Sequence, residues 1–209
     1  MELKCISIHH PCVKKEEKHV IKIRKCADTI TTWAELRDAV HAGSNPLNVG
    51  DEIDIVLKTG EKVTLVCERV GHRSATFFTK NLLEDTHCMN ENWKVKNGEQ
   101  LSTMEAYLGK LFILLPDDLQ EVVTEPLRLL REKEVFGKNK YGNEEVCEVL
   151  SRYSEKENRV KTLNGVSFPY WLASPYASDS THFCLVNSNG GSDGYFASTG
   201  FGVCFGFDI

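Results

Sequence analysis

Cysteine, histidine and aspartate are the residue types in this chain that could do covalent or metal chemistry. Eight cysteines occupy positions 5, 12, 26, 67, 88, 147, 184 and 204, with no Cys-x-x-Cys pair and no regular spacing. Cys5, His9, His10 and Cys12 cluster near the start. The spacing Cys-x3-His-His-x-Cys corresponds to no zinc-ligand pattern, so these residues read as strand ends. His182 and Cys184 lie two apart on an expected strand, which puts both on one face, and Asp179 precedes them. A nucleophilic Cys–His pair needs hydrogen-bond contact, an orienting third group and a positive setting. No Lys or Arg follows Lys161. Cys184 and Cys204 therefore read as core fillers, and no catalytic residue is assigned. The stretch NSNGGSDG offers Asn187, Asn189 and Asp193, which is one carboxylate where calcium prefers several. No metal and no other cofactor is expected.

Binding is the chemistry that the C-terminal stretch suits better. Residues 175–202, PYASDSTHFCLVNSNGGSDGYFASTGFG, mix Ser, Gly, Asn and Asp with five aromatic rings and contain no Lys, Arg or Glu. Tyr gives a large amphipathic contact at low entropy cost, and Ser, Gly and Asn adapt their hydrogen bonding, as in antibody paratopes. The candidate contact residues are Tyr176, Ser178, Asp179, His182, Asn187, Asn189, Asp193, Tyr195, Phe196, Ser198, Thr199 and Phe201. Small polar residues between strands also serve as turns, chosen for their backbone angles, and both readings stand at this point. Tyr195 and Phe196 are adjacent on an expected strand, so one should point inward and one outward. Phe183, Phe205 and Phe207 read as core. Trp171 reads as a core pillar whose indole N–H needs a partner.

The bulk numbers narrow the class. The chain has 209 residues, 41% hydrophobic, enough for one domain with an appendage and a core that needs no disulfides. A net charge of −5 argues against nucleic acid as the main partner, since phosphate binding wants a basic field. Met1-Glu2-Leu3-Lys4 leads into no long apolar run, so neither a signal peptide nor a membrane span is expected. The cysteines read as reduced and the chain as made in a cytoplasm, with a virion or cell surface as a place of use. The oligomeric state is not readable.

The elements that must position the candidate residues follow from periodicity. Residues 1–46 read as an N-terminal extension of strands (CISI, HVIKIRKC) plus a short helix, TTWAELRDAVHAG, capped by Thr31 or Thr32 and ended by Gly43. Residues 47–209 read as the main domain. EIDIVL, KVTLVCERV and ATFFTK form an antiparallel meander, because the turns between them are too short for crossovers. LSTMEAYLGKLFILLP is a helix with a Ser102–Glu105 capping box, and Met104, Leu108, Leu111 and Leu115 lie on its buried side. DDLQEVV starts a second short helix. HFCLVN, DGYFAS and GVCFGFDI are strands, the last half-buried through Val203, Phe205, Phe207 and Ile209.

WLASP at 171–175, FCLVNSNG at 183–190 and GVCFGF at 202–207 together resemble a bacterial and phage domain-of-unknown-function family, whose C-terminal pattern runs W-L-R-S-P, F-C-x-V-x-S-x-G, G-V-x-P-x-F. GDEIDIVLKTGEKVTLV, EDTHCMN, MEAYLGKLFILLPDDLQEVV and EVFG follow that family in the same order, so the likeness covers roughly 33–209. The resemblance implies an α+β, C-type-lectin-like fold: a twisted antiparallel sheet, two helices and a loop-rich C-terminal ligand face. It also implies similarity to the variable proteins of diversity-generating retroelements. In those systems a reverse transcriptase rewrites the 3′ end of a gene at template adenines, yielding Asn, Ser, Tyr, Asp, Gly, His and Phe codons. Ala173 stands where the family pattern has Arg, Phe205 where it has Pro, and Asp208 where an apolar residue or Cys is expected.

The expected function is thus non-catalytic recognition of a protein or cell-surface ligand through the C-terminal surface, with the variable protein of a diversity-generating retroelement as its sharpest form. The alternatives are a phage-borne protein that binds and inhibits a host cytoplasmic protein, and a cysteine-dependent enzyme on a lectin-like fold. The residues for that last chemistry are not matched. The lectin sugar-binding pair E-P-N with W-N-D is absent.

Overall fold

The computed structural model describes residues 30–91, 102–143 and 148–209. The two strands expected within residues 1–29, and the cluster Cys5, His9, His10 and Cys12, lie outside these residues.

Helix α1 (Trp33–His41) starts where Thr32 accepts the Glu35 N–H and the Glu35 carboxylate reaches back to the Thr32 N–H. This reciprocal pairing satisfies two orphan donors of the first turn. Its apolar positions Trp33, Leu36 and Val40 are completely buried. Strands β1 (Glu52–Val56), β2 (Lys62–Val70) and β3 (Ala75–Thr79) follow as an antiparallel meander. Ile53, Ile55 and Leu57 face inward as the alternation requires. Helix α2 (Thr103–Leu114) carries the expected Ser102–Glu105 capping box, and its buried side holds Met104, Leu108 and Leu111. Leu115 and Pro116 close it with extended backbone.

The polar middle of the chain is broken into short pieces. These are helix α3 (Asp117–Gln120), strand β4 (Arg128–Leu129), helix α4 (Glu132–Phe136), a 3-10 turn (Ser151–Ser154) and helix α5 (Lys156–Arg159). Gly137, at φ 72°, ends α4 in the left-handed conformation that glycine adopts without strain. Beyond them come β5 (Thr162–Leu163), β6 (Val166–Ser167), β7 (Tyr170–Pro175), β8 (His182–Val186), β9 (Ser192–Phe196) and β10 (Phe205–Asp208).

The strands form three open antiparallel sheets, ordered β1-β2-β3-β10-β4, β5-β6 and β7-β8-β9. The α+β class and the antiparallel meander are as the sequence indicates. The layout is richer than a single sheet with two helices. Two helices are long, and the described residues add α3, α4 and α5 because Pro116 and Gly137 interrupt the helical stretches.

Strand β3 sits between two cores. Phe77 faces the first, with Trp33, Phe205 and Phe207, while Phe78 faces the second, with Tyr153, Tyr170, Leu172, Cys184 and Cys204. Trp33 meets Phe77 edge-on at 5.8 Å, and Phe77 stacks on Phe207 at 5.6 Å. Strand β10 obeys the same alternation: Phe205 and Phe207 enter the first core, and Gly206 passes under the Phe78 ring. A Cβ on Gly206 would fall 2.4 Å from that ring, so only glycine fits. Strand β8 is divided likewise, with Leu185 in the first core and Cys184 and Val186 in the second. The small sheet therefore hangs on the large one through both cores. Backbone bonds also join them, from Ala173 N–H to Leu130 C=O at 2.8 Å and from Trp171 N–H to Gly202 C=O at 3.2 Å.

Two departures from the family pattern find local reasons. Phe205 is completely buried in the first core. Asp208 is half-buried, accepts the Thr76 hydroxyl, and lies 3.7 Å from the Arg69 guanidinium.

Trp33 ties α1 to the sheet that the C-terminus completes. Trp33→Ala is expected to lower the free energy of unfolding by about 3–5 kcal/mol. Urea denaturation followed by circular dichroism checks this; an unchanged midpoint would mean that α1 is not part of the core.

Candidate functional site

Strand β9 is the edge of the small sheet, paired on one side only with β8. Directly opposite residues share a face, so Tyr195 sits beside Phe183 and Phe196 beside His182. Tyr195 and Phe196 do point to opposite faces, but the expectation that one is buried fails. They are 48% and 54% exposed. The sheet ends at β9, so each ring is covered on one side only.

The rings form a continuous series around the corner. Trp171 is completely buried and donates its indole N–H to the His87 carbonyl at 2.9 Å, the partner its burial demands. Phe201 packs edge-on against Trp171 at 4.9 Å, and Tyr195 packs edge-on against Phe201 at 5.4 Å. Phe196 follows at 5.9 Å from Tyr195, and His182 lies 4.3 Å from Phe196. On the far face Tyr176 is 5.9 Å from His182 and stacks on Tyr141 at 5.0 Å. Edge-on and offset contacts of this kind are the favoured aromatic geometries. Gly194 lets Tyr176 lie against the strand, since a Cβ there would be 2.4 Å from the tyrosine ring.

The loop between β7 and β8 is stapled from within. Asp179 accepts the Thr181 N–H at 2.8 Å and the Thr181 hydroxyl at 2.7 Å, and these bonds hold its carboxyl below the usual range. Its second oxygen is 3.1 Å from His182 Nδ1, fixing the imidazole between Tyr176 and Phe196. Asp179 and His182 thus do meet. Cys184 is fully buried in the second core, with its thiol toward the Pro175 carbonyl at 3.9 Å. Among the described residues no group of three or more His, Cys, Asp or Glu is placed to hold a metal ion. Cys67, Cys88, Cys184 and Cys204 form no disulfide, and burial pushes the Cys67 thiol up to about 12.

The twelve residues singled out from the sequence do not make one patch. Tyr176, Asp179, His182, Tyr195, Phe196 and Phe201 share the aromatic corner, and Ser178, Ser198 and Thr199 lie on the loops beside it. Asn187 and Asn189 sit in the hairpin turn at the other end of β8 and β9, about 15 Å away by strand rise. Asn187 has a turn role: its amide oxygen accepts the N–H groups of Asn189 at 3.1 Å and Gly191 at 2.9 Å. That turn packs on α5, where Arg159 donates to the Gly190 carbonyl at 3.0 Å. Asp193 is exposed and accepts its neighbour's N–H, from Gly194 at 2.9 Å. Phe201 is half-buried and packs against the first core.

Sequence reasoning missed the support for this corner. Glu132, completely buried, accepts the N–H groups of Lys140 at 3.1 Å, Tyr141 at 3.1 Å and Gly142 at 2.7 Å, and the Ser192 hydroxyl. Its own N–H donates to Ser174 Oγ at 2.7 Å. Glu132 thus joins three segments, its carboxylate holding the Tyr141 loop and the start of β9 and its backbone N–H holding β7. Lys140 lies 4.6 Å over the Tyr141 ring, so the corner does carry a cation although no Lys or Arg follows Lys161 in the sequence. Nothing local in the sequence marks Glu132, because Ser192 is 60 residues away.

Glu132→Ala strands these buried donors, and unpaired buried donors are costly. The expected loss is about 3 kcal/mol of stability, with faster amide exchange at residues 140–142. Hydrogen-exchange mass spectrometry checks it; unchanged exchange there would remove Glu132 from the support of the corner.

No curated protein and no solved structure matches the chain. The family described as "Domain of unknown function (DUF6273)" matches residues 78–207, which is more than half of the sequence and runs from β3 to β10 through the whole aromatic corner. The chain belongs to this domain-of-unknown-function family.

Proposed function

We propose that this chain is a non-catalytic binding protein whose contact surface is the aromatic corner of the β7–β9 sheet. The observation that carries the reading is the exposure of Tyr195 and Phe196, side by side on an edge strand whose underside is pinned by Trp171 and Glu132. Exposed large apolar side chains in a contiguous group are the informative exception on a folded surface. Aromatic anchors held rigid lose little entropy on binding and tend to dominate interface energies. Ser178, Asp193 and Ser198 around them supply adaptable polar contacts. Lys140 adds one positive charge at the Tyr141 edge. No helix among the described residues is long and apolar enough to cross a membrane.

The finer form of the proposal is a C-type-lectin-like domain that displays a diversified surface, as in the variable proteins of diversity-generating retroelements. The resemblance of WLASP, FCLVNSNG and GVCFGF supports it, as does the paratope-like composition of residues 176–201. The set expected to vary is narrower than composition suggests: the buried and turn-forming positions Trp171, Cys184, Asn187 and Gly194 should stay constant.

Two measurements test the reading. Deep sequencing of the 3′ end of the gene in a natural population should show substitutions concentrated in codons 176–201 and matched to adenines of a nearby template copy. Uniform sequence without a template would reduce the proposal to a fixed binding surface. For binding itself, labelled protein is incubated with intact bacterial cells and, separately, with a cytoplasmic extract. The double variant Tyr195→Ala, Phe196→Ala is expected to lose retention by at least about tenfold, the effect of one anchor residue. Its stability should change by no more than about 0.5 kcal/mol per site, as exposed positions allow. Phe201→Ala, by contrast, should lower the melting temperature. Retention of binding by the double variant would rule the corner out as the contact surface.

A further inference from the structure

A second surface lies on the other side of Phe183. A groove of about 920 Å³ runs between α2, the segment 123–129 and the end of β7 and β8. That is within the roughly 300–1,000 Å³ of small-molecule sites. We propose that this groove is a binding site for a small amphiphile, a single apolar chain with a cationic head. This site goes beyond the recognition surface proposed above.

The apolar part of the ligand follows from the floor. Met89, Met104, Leu108, Leu127 and Phe183 line it, and its walls are mostly carbon. The groove is kept open by two small residues. Gly109 lines it from the middle of α2, and a Cβ there would meet nothing within 4 Å. Glycine is a much poorer helix former than alanine, so packing does not explain its presence in the centre of the longest described helix. Ala173 lines the opposite wall.

The charge of the head follows from the rim. Among the described residues, the charged ones lining the groove are Glu105, Glu125 and Arg128. Arg128 is already satisfied: it donates to both oxygens of Glu134 at 2.9 Å, and its guanidinium covers the Phe78 ring at 4.8 Å. Glu105 keeps one oxygen on the Ser102 N–H and is otherwise exposed, and Glu125 is exposed. Among the described residues, the groove thus sets two carboxylates that no lining cation pairs above an apolar floor, which favours a cation and disfavours an anion.

The walls are preformed. Thr124 donates its N–H and hydroxyl to the Asp208 carbonyl at 3.0 and 3.1 Å, and the Met104 N–H donates to the Met89 carbonyl at 3.2 Å. A ligand needs no closing motion, which keeps the ordering cost low.

The chain has three methionines, Met1, Met89 and Met104, and two of them line the groove. Methyl-labelled methionine is thus a built-in reporter. The probes are decyltrimethylammonium, decanol and decanoate, each titrated below its aggregation limit and read by methyl NMR. Decyltrimethylammonium is expected to shift Met89 and Met104 but not Met1, and to bind about tenfold more tightly than decanoate. Glu125→Gln should weaken the cation about two- to fivefold, the scale of an exposed ion pair, and leave decanol unchanged. Gly109→Leu should abolish binding of all three while keeping or raising the melting temperature. Absence of Met89 and Met104 shifts with every probe would overturn the site. Decanoate binding as well as the cation would overturn the charge assignment. Full binding by a folded Gly109→Leu protein would place the ligand elsewhere.

Discussion

The pairing of β3 with β10 is the constraint on which the rest of the structure depends. It joins residues 76–78 to residues 206–208, so the last strand completes the first sheet. The exchange between Ala75 and Ile209, at 3.1 and 3.0 Å, extends the pairing to the final residue. Because Phe77 and Phe78 point to opposite faces, this one pair of strands separates two cores and belongs to both. Everything between them in sequence is a long excursion whose ends are held together. Closing such a loop is entropically expensive, but the expense rises only slowly with length, and two buried faces of aromatic packing offset it. Gly206 is the detail that permits it, since the Phe78 ring occupies the space of its missing side chain.

The excursion is in turn held by polar groups that are fully used. The Glu132 carboxylate gathers donors from residues 140–142 and from Ser192, its own N–H reaches Ser174 Oγ, and the Trp171 indole reaches the His87 backbone. Buried polar groups of this kind are stabilising only when satisfied, and then they specify one arrangement. The aromatic corner inherits its rigidity from them. Its exposed rings lie at the rim of a network whose hidden members are fixed, so a change at Tyr195 or Phe196 leaves the support untouched. That separation of scaffold from surface is what a domain needs if contact residues are to differ while the fold stays the same.

Membership of a domain-of-unknown-function family carries no activity with it, and the functional reading rests on the site. His182 and Cys184, the pair weighed from the sequence, are set apart. The Asp179–His182 couple sits at the surface within its own loop, whereas the Cys184 thiol is sealed in the second core. At the aromatic corner the exposed groups are rings, small polar side chains and Lys140, and the proposal of a contact surface rests on them.

Local pattern determined much of this protein. The caps at Thr32 and Ser102, the buried faces of α1 and α2, the meander of β1–β3 and the closing alternation of Val203, Phe205, Phe207 and Ile209 all follow from spacing, because each depends on neighbours a few residues away. The stretch that carries the proposed contact surface was singled out by composition, and Trp171 as a pillar was legible from its need for a partner. Only the tertiary structure decided which of the candidate residues are exposed and which hold turns or the core. Asn187 and Asp179 turned out to organise turns, Phe201 leans on Trp171, and Tyr195 and Phe196 are both exposed because β9 is an edge. Tyr141 and Glu132 entered the site from 35 or more positions away in sequence. The physical reason is the same in each case: burial and hydrogen-bond partnership are set by chain segments that meet only after the sheets have paired, and no local periodicity encodes that meeting.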